Sequence, residues 1–331
     1  MLDVRSLSWL TWRRRSKAAD LTMAKLDERA AARVEALREE ILELLGASGL
    51  AVRDGPEPSA TPLLGAGDAD PPSEAAPAPP DLAIWLLGPL RIELAGRPVP
   101  SGNGQKGQRV LRYLLARGSR PLPRDVLLDT FWPDLRPEAA RRNLHQSVYT
   151  IRRMLASVCP DMHVIVFEHE SYLLDPSLRV WRDTDEFDRL LRLAHRASAD
   201  GQEAAGRAAR DAAAALYRGD YLEDTPYEDW ALSERDRLRG LYLQLENARA
   251  ADAFRQGDLE QAVALCHVVL DHDACDEDAH RLIMRVHAHQ GQHHQVVQQY
   301  RSCVTLLDRR LGLRPSPETT ALFREIVDAR T

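Results

Sequence analysis

The stretch PEAARRNLHQSVYTIRRML, residues 137–155, decides how the chain is read. Stepped at 100° per residue, Ala140, Leu144, Val148, Ile151 and Leu155 fall on one stripe of a helix, and Arg142, Gln146, Tyr149 and Arg153 on the opposite stripe. Arg141, His145 and Arg152 flank the second stripe. One face is suited to burial. The other carries two guanidinium forks, an amide and a phenol, the side-chain chemistry that meets phosphates and base edges.

Charge narrows the meaning of that face. The 331-residue chain has a formal net charge of −6, which by itself argues against a polyanionic partner. Residues 105–156, however, hold eleven Lys and Arg against four acidic residues, whereas from Asp183 onward there are 19 basic and 27 acidic residues. Positive charge is therefore confined to one small region, where contact with DNA would release condensed counterions. Lys106 and Arg109, with Arg112, open the first helix of this region and are placed to reach phosphate.

The elements around the helix supply its setting. Residues 83–99 contain two β-rich runs broken at Gly88-Pro89 and turned at Ala95-Gly96. Helices are expected at about 105–117, 124–131 and 137–156, with Pro121 and Pro123 parting the first two and Pro137 at a first-turn position. A hairpin through residues 163–174 follows, with a polar turn from Glu168 to Ser171. Strands, three helices, then a hairpin is the succession of a winged helix-turn-helix, whose third helix enters the major groove.

Further along, the chain reads as helical throughout. Gly257-Asp258 and Gly291-Gln292 stand 34 residues apart, and Ala262, Cys266 and Leu270 align with Val296, Tyr300 and Val304. A 34-residue helix-turn-helix period indicates tetratricopeptide-like stacking. At the other end, Leu26, Ala30, Val34, Leu37, Ile41 and Leu44 form an apolar stripe on a helix over about 18–45, suited to self-association or to docking on another surface. Eight prolines within residues 54–80 mark a linker after it.

Other constellations favour plainer readings. Gly102, Gly104 and Gly107 make a GxGxxG, but no buried strand runs directly into it and no βαβ unit follows, so a dinucleotide site is not expected. His280, His287, His289, His293 and His294 crowd a polar turn without a completing thiolate or carboxylate at ligand spacing. Asp271, Asp273, Asp276, Glu277 and Asp278 lack the central Gly and ordered spacing of a calcium loop, and suit a helix end followed by a helix start. No GxSxG or P-loop pattern occurs. Neither catalysis, cofactor nor metal is expected. The four cysteines form no CxxC pair, and no apolar run approaches the ~20 residues of a membrane span, so a soluble, reduced, cytoplasmic and nucleoid-associated protein is expected.

Taken in order, LGPLRI (87–92), RDVLLDTFWPD (124–134), ARRNL (140–144) with IRRML (151–155), ALYRG (215–219), EDAHRLIM (277–284) and LGLRPSPET (311–319) resemble the bacterial transcriptional activator domain family, which includes the Streptomyces antibiotic regulatory proteins. The resemblance covers about residues 84–327. It implies an OmpR-like DNA-binding domain, promoter recognition through direct repeats, activation by contact with RNA polymerase, and a helical domain that assists dimerisation or regulation. The turn Glu168-His169-Glu170-Ser171 departs from the family in being acidic and without glycine, which leaves the third helix to carry more of the contact. No receiver or ATPase module matches, so control by phosphorylation or nucleotide is not expected.

The expectation is a mainly α chain. It comprises an N-terminal helical segment at 1–50, a Pro/Ala-rich linker at 51–82, an α+β winged helix-turn-helix domain at 83–178, and an all-α tetratricopeptide-like domain at 183–331. The expected function is a sequence-specific transcriptional activator, homodimeric on double-stranded promoter DNA and in contact with RNA polymerase. Arg141, Arg142, His145, Gln146, Tyr149, Arg152, Arg153, Lys106 and Arg109 are its DNA-contacting residues. The alternative is a protein-binding adaptor whose winged helix makes protein contacts.

Overall fold

The computed structural model describes residues 80–100 and 105–329. The expected N-terminal helix and nearly all of the linker lie outside them. The described chain forms two compact units, one of residues 80–186 with the segment Leu222–Pro226, the other of Phe187–Tyr221 with residues 227–329.

The first unit is α+β, and its strands are short because prolines and turns cut every β-rich run. Strands β1 (Leu82–Trp85), β2 (Arg91–Leu94) and β3 (Arg97–Pro98) form an antiparallel meander. Helices α1 (Gln105–Arg117), α2 (Arg124–Phe131) and α3 (Pro137–Ala156) follow, with the two-residue strand β4 (Leu122–Pro123) between α1 and α2. Then come β5 (Ile165–Glu168), β6 (Ser171–Leu174) and β7 (Val180–Arg182). Two sheets result, β3-β2-β1-β7 and β4-β6-β5. Strand β7 lies past the domain end expected at 178 and pairs parallel with β1, Leu82 opposite Val180 and Ile84 opposite Arg182.

The pairing of β1 with β7 is fastened from both ends. At the outer end Asp81 accepts from the backbone N–H and the guanidinium of Arg179 at 2.8–3.1 Å, which pulls its carboxyl down to a pKa of about 2. At the inner end the fully buried carboxylate of Asp183 accepts from the backbone N–H groups of Leu86 and Leu87 at 2.8–2.9 Å. The segment Leu222–Pro226 adds to the same edge, Leu222 N–H donating to the Leu86 carbonyl at 2.8 Å. Where α1 ends, Gly118 has φ +62°, a left-handed conformation that favours glycine.

The second unit is helical: α4 (Asp183–Ala199, whose first turn counts with the first unit), α5 (Glu203–Leu216), α6 (Asp229–Arg255), α7 (Leu259–His272), α8 (Glu277–His289), α9 (His293–Leu311) and α10 (Pro317–Asp328). The 34-residue repeat is visible in its turns. Gly257 and Gly291 both have positive φ, and the aligned Ala262 and Val296 are both fully buried. Aromatic stacking closes the layers, Tyr217 on Tyr242 at 3.9 Å and Tyr300 on Phe323 at 4.1 Å. Ion pairs knit α5 to α6, the largely buried Arg210 to Asp252 at 2.6 Å and the more exposed Arg249 to Asp211 at 2.8 Å.

Candidate nucleic-acid interface

Helix α3 is built as its sequence demands. Pro137 occupies the first turn, where its missing N–H costs nothing, and Ala140, Leu144, Val148, Ile151 and Leu155 are all buried. Buried Ser147 turns its hydroxyl to the Asn143 carbonyl at 2.8 Å, so this polar residue sits on the inner side with its donor satisfied. The outer side is as expected in composition. Arg141, Arg142, His145, Gln146, Tyr149, Arg152 and Arg153 are all exposed, and Tyr149 is 61% so.

What these side chains do not touch matters as much. Among the described residues Arg141, Arg142 and Arg153 enter no ion pair, so their charge is available to an outside anion. Among the described residues Arg152 is held at one point, Nε donating to the Ile165 carbonyl at 3.1 Å, which ties its guanidinium to the start of β5. Thr150, which the sequence reading passed over, is exposed on the same face but spends its hydroxyl on the Gln146 carbonyl.

The cations of α1 behave differently from one another. Lys106 is exposed. Arg109 is exposed too, but its guanidinium lies 5.5 Å from the Phe131 ring centre, a cation–π contact that draws it toward α2. Arg112 is withdrawn from any surface role by an ion pair with Asp224, a correction to the expectation that it reaches phosphate. Gly107, the last glycine of the GxGxxG, is already helical, and a Cβ there would stand 3.9 Å from the Ser147 carbonyl, while residues 101–104 lie outside the described residues.

The wing is tight and acidic. His169 and Glu170 form its tip with φ of 46° and 59°, the left-handed pair of a two-residue hairpin turn achieved without glycine. Glu170 is tied down by Arg124, whose N–H donates to the Glu170 carbonyl at 2.9 Å and whose guanidinium meets the Glu170 carboxylate at 2.6 Å. Arg124 thus works inside the fold rather than on a ligand. Behind the wing, burial pushes the Tyr172 phenol up, against the opposing fields of Arg152 and Arg124.

In the helical unit the histidines scatter. His280 is buried between the Ala274 carbonyl (3.1 Å) and the Gln299 amide (2.7 Å), and His287 bonds Gln292 at 3.0 Å. Among the described residues no three metal-ligating side chains come together. The acidic run serves turns and caps: Asp273 accepts from the Cys275 N–H and Asp276 caps α8 through the Ala279 N–H.

A winged helix with a cationic outer helix face, followed by a tetratricopeptide-like helical array, is the class defined by these features. Residues 182–327 match the family model described as the bacterial transcriptional activator domain. Its relatives include the transcriptional regulatory protein MoaR1 of Mycobacterium tuberculosis, 27% identical over 73% of this chain and 78% of that protein. Another is the transcriptional regulatory protein EmbR of Mycobacterium tuberculosis, 32% identical over 148 residues. That match covers 43% of this chain and 37% of EmbR, so it spans little more than a third of that relative's length. A solved structure described as Mycobacterium tuberculosis EmbR in complex with low affinity phosphopeptide superposes with a TM-score of 0.65, at 24% identity over 76% of this chain and 66% of that one. It shows a common fold, mainly helical with the small sheets in the N-terminal part.

Proposed function

We propose that this protein is a transcriptional activator that reads promoter DNA with α3 lying in the major groove. The observation that carries the reading is the outer face of α3, where three guanidiniums without an ion pair among the described residues accompany Gln146 and Tyr149 on a helix whose inner face is fixed in the core. A helix of ~10–12 Å diameter fits the ~12 Å major groove. Arg142, Gln146, Tyr149 and Arg153 meet bases and phosphates, Arg141, His145 and Arg152 the flanking backbone, and Lys106 and Arg109 the phosphates beside α1. The relatives named as transcriptional regulatory proteins support the same class of function.

In this reading the protein binds direct repeats as a homodimer, contacts RNA polymerase, and works in the cytoplasm at the nucleoid, with residues 83–178 as its DNA-binding domain and 183–331 as its activator domain. The acidic wing tip contributes little, because Glu168 and Glu170 repel phosphate. The test is fluorescence anisotropy on duplexes from the promoters flanking its own gene, over a salt series. Binding is expected to weaken with salt and to fall at least about tenfold, ~1.4 kcal/mol, in the Arg142→Ala/Arg153→Ala double variant. Wild-type affinity in that variant removes this face from the function. Partners that stay bound after nuclease treatment, with no duplex recovered by selection, establish the adaptor alternative instead.

A further inference from the structure

Beside the C-terminal half of α3 lies a cavity of about 380 Å³, enclosed by the last turns of that helix and the chain returning into β5. Its walls are apolar: Leu155 and Ala156 from the helix, Pro160, Met162, Val164 and Ile165 from the return. Its polar lining comes from Tyr149, Arg152 and Arg153 on the helix and His163 on the return.

The pattern of apolar walls and polar lining specifies a ligand. The volume falls in the ~300–1,000 Å³ range of small-molecule sites, and its wall chemistry rewards an apolar body. A neutral apolar molecule would leave the polar lining unused. Arg153 has no partner among the described residues, and Arg152 is pinned through Nε alone, leaving both of its NH₂ groups for an acceptor. Asp161, the acid within the return, is exposed and does not line the cavity. Asp175, whose field reaches His163, is turned into the Ser177 N–H (2.9 Å) and hydroxyl (2.7 Å).

We infer that this cavity binds a small amphipathic anion, a carboxylate or sulfonate on an apolar body, in competition with DNA. The competition follows because Tyr149, Arg152 and Arg153 belong to the cavity lining and to the DNA face at once, and this half of the inference rests on the function proposed above. The chemistry of the site does not rest on it. Such an anion acts as an inducer-like effector housed in the DNA-binding unit, with occupancy neutralising the cations that would otherwise hold phosphate.

The test uses the full chain with ¹³C-methyl-labelled methionine, titrated with decanoate and, separately, with 1-anilinonaphthalene-8-sulfonate. The Met162 methyl resonance is expected to shift saturably with decanoate while that of Met154, which does not line the cavity, stays in place. Sulfonate fluorescence is expected to titrate at least about tenfold more weakly in Met162→Glu, which puts a like charge in the wall, and in Ala156→Phe, which fills it. An unmoved Met162 methyl in the wild-type chain overturns the site without any variant having to fold. In the second arm, saturating decanoate is expected to weaken duplex binding about tenfold in the wild type and to leave it unchanged in Ala156→Phe. Duplex affinity indifferent to bound decanoate overturns the competition. A chain that shifts its Met162 methyl but binds no duplex upholds the anion site and refutes the DNA reading, so the two failures are separable.

Discussion

The carboxylate of Asp183 lies 2.8 Å from the backbone nitrogen of Leu86, and both residues are buried. With the Leu87 N–H also bonded to it at 2.9 Å, one side chain satisfies two consecutive donors where β1 ends and the chain turns away. Removing the acceptor strands both donors in the core, at about 1–3 kcal/mol each. Asp183→Ala is therefore expected to destabilise the first unit by roughly 2–6 kcal/mol in urea unfolding, and Asp183→Asn, which keeps one oxygen acceptor, by clearly less. A loss under about 0.5 kcal/mol in Asp183→Ala would show that water replaces the carboxylate.

The outer face of α3 divides into charge and readout, and single substitutions should separate them. Arg153→Ala is expected to weaken all duplexes alike and to reduce the salt slope by about 1, the signature of one lost phosphate contact. Gln146→Ala is expected to leave the slope unchanged and to relax preference at one base pair by about 1–3 kcal/mol. Competition anisotropy against single-base variants of the selected site distinguishes these outcomes, and identical behaviour of the two variants would contradict the division.

At the wing tip two effects of Glu170 oppose each other. Its left-handed φ of 59° costs about 1–2 kcal/mol relative to glycine, whereas its exposed ion pair with Arg124 contributes about 0–1 kcal/mol. Strain outweighs the pair. Glu170→Gly is expected to raise the midpoint of unfolding slightly, and also to strengthen non-specific duplex binding at low salt by removing a negative charge. A lowered midpoint in calorimetry means the Arg124 contact is worth more than its exposure suggests.

His280 gives the helical unit a dependence on pH. Burial lowers its pKa below the usual 6.5, outweighing the Ala274 carbonyl and the fields of Asp276, Glu277 and Asp273, which all pull the other way. Because the unfolded chain protonates first, the contribution is complete above about pH 6.5 and is lost progressively as pH falls from there toward the lower folded value. Urea unfolding between pH 7.5 and 5.5 should show this decline, and His280→Asn should reduce it. An equal decline in that variant assigns the effect to another group.

Helix α3 was legible because five apolar residues in register leave no second solution, and its outer face was legible because charge was concentrated there against an acidic background. Strands β4 and β7 were not. Two residues including a proline, or three before a helix, carry no period, and their pairing depends on partners fifty and a hundred residues away. Asp183 looked like any acid in a helix's first turn, since the sequence does not reveal which such acid is buried. Arg112 and Arg124 counted as free cations in the charge window, yet Asp224 and Glu170 claim them. The cavity beside α3 escaped notice for a similar reason, because its far wall arrives from a loop whose path only the fold determines.

The parallel pairing of β1 with β7 also sets how the first unit responds to tension. The chain arrives at the start of β1 and departs from the end of β7, and the two strands run in the same direction. A pull applied through the flanking chain loads the pair lengthwise, so its rungs, the Asp81–Arg179 clasp and the Asp183 bonds must slide together instead of parting one by one. Parallel pairing therefore makes the two ends of β1–β7 a shear joint, in which the clasp at Asp81 and the bonds at Asp183 share one load.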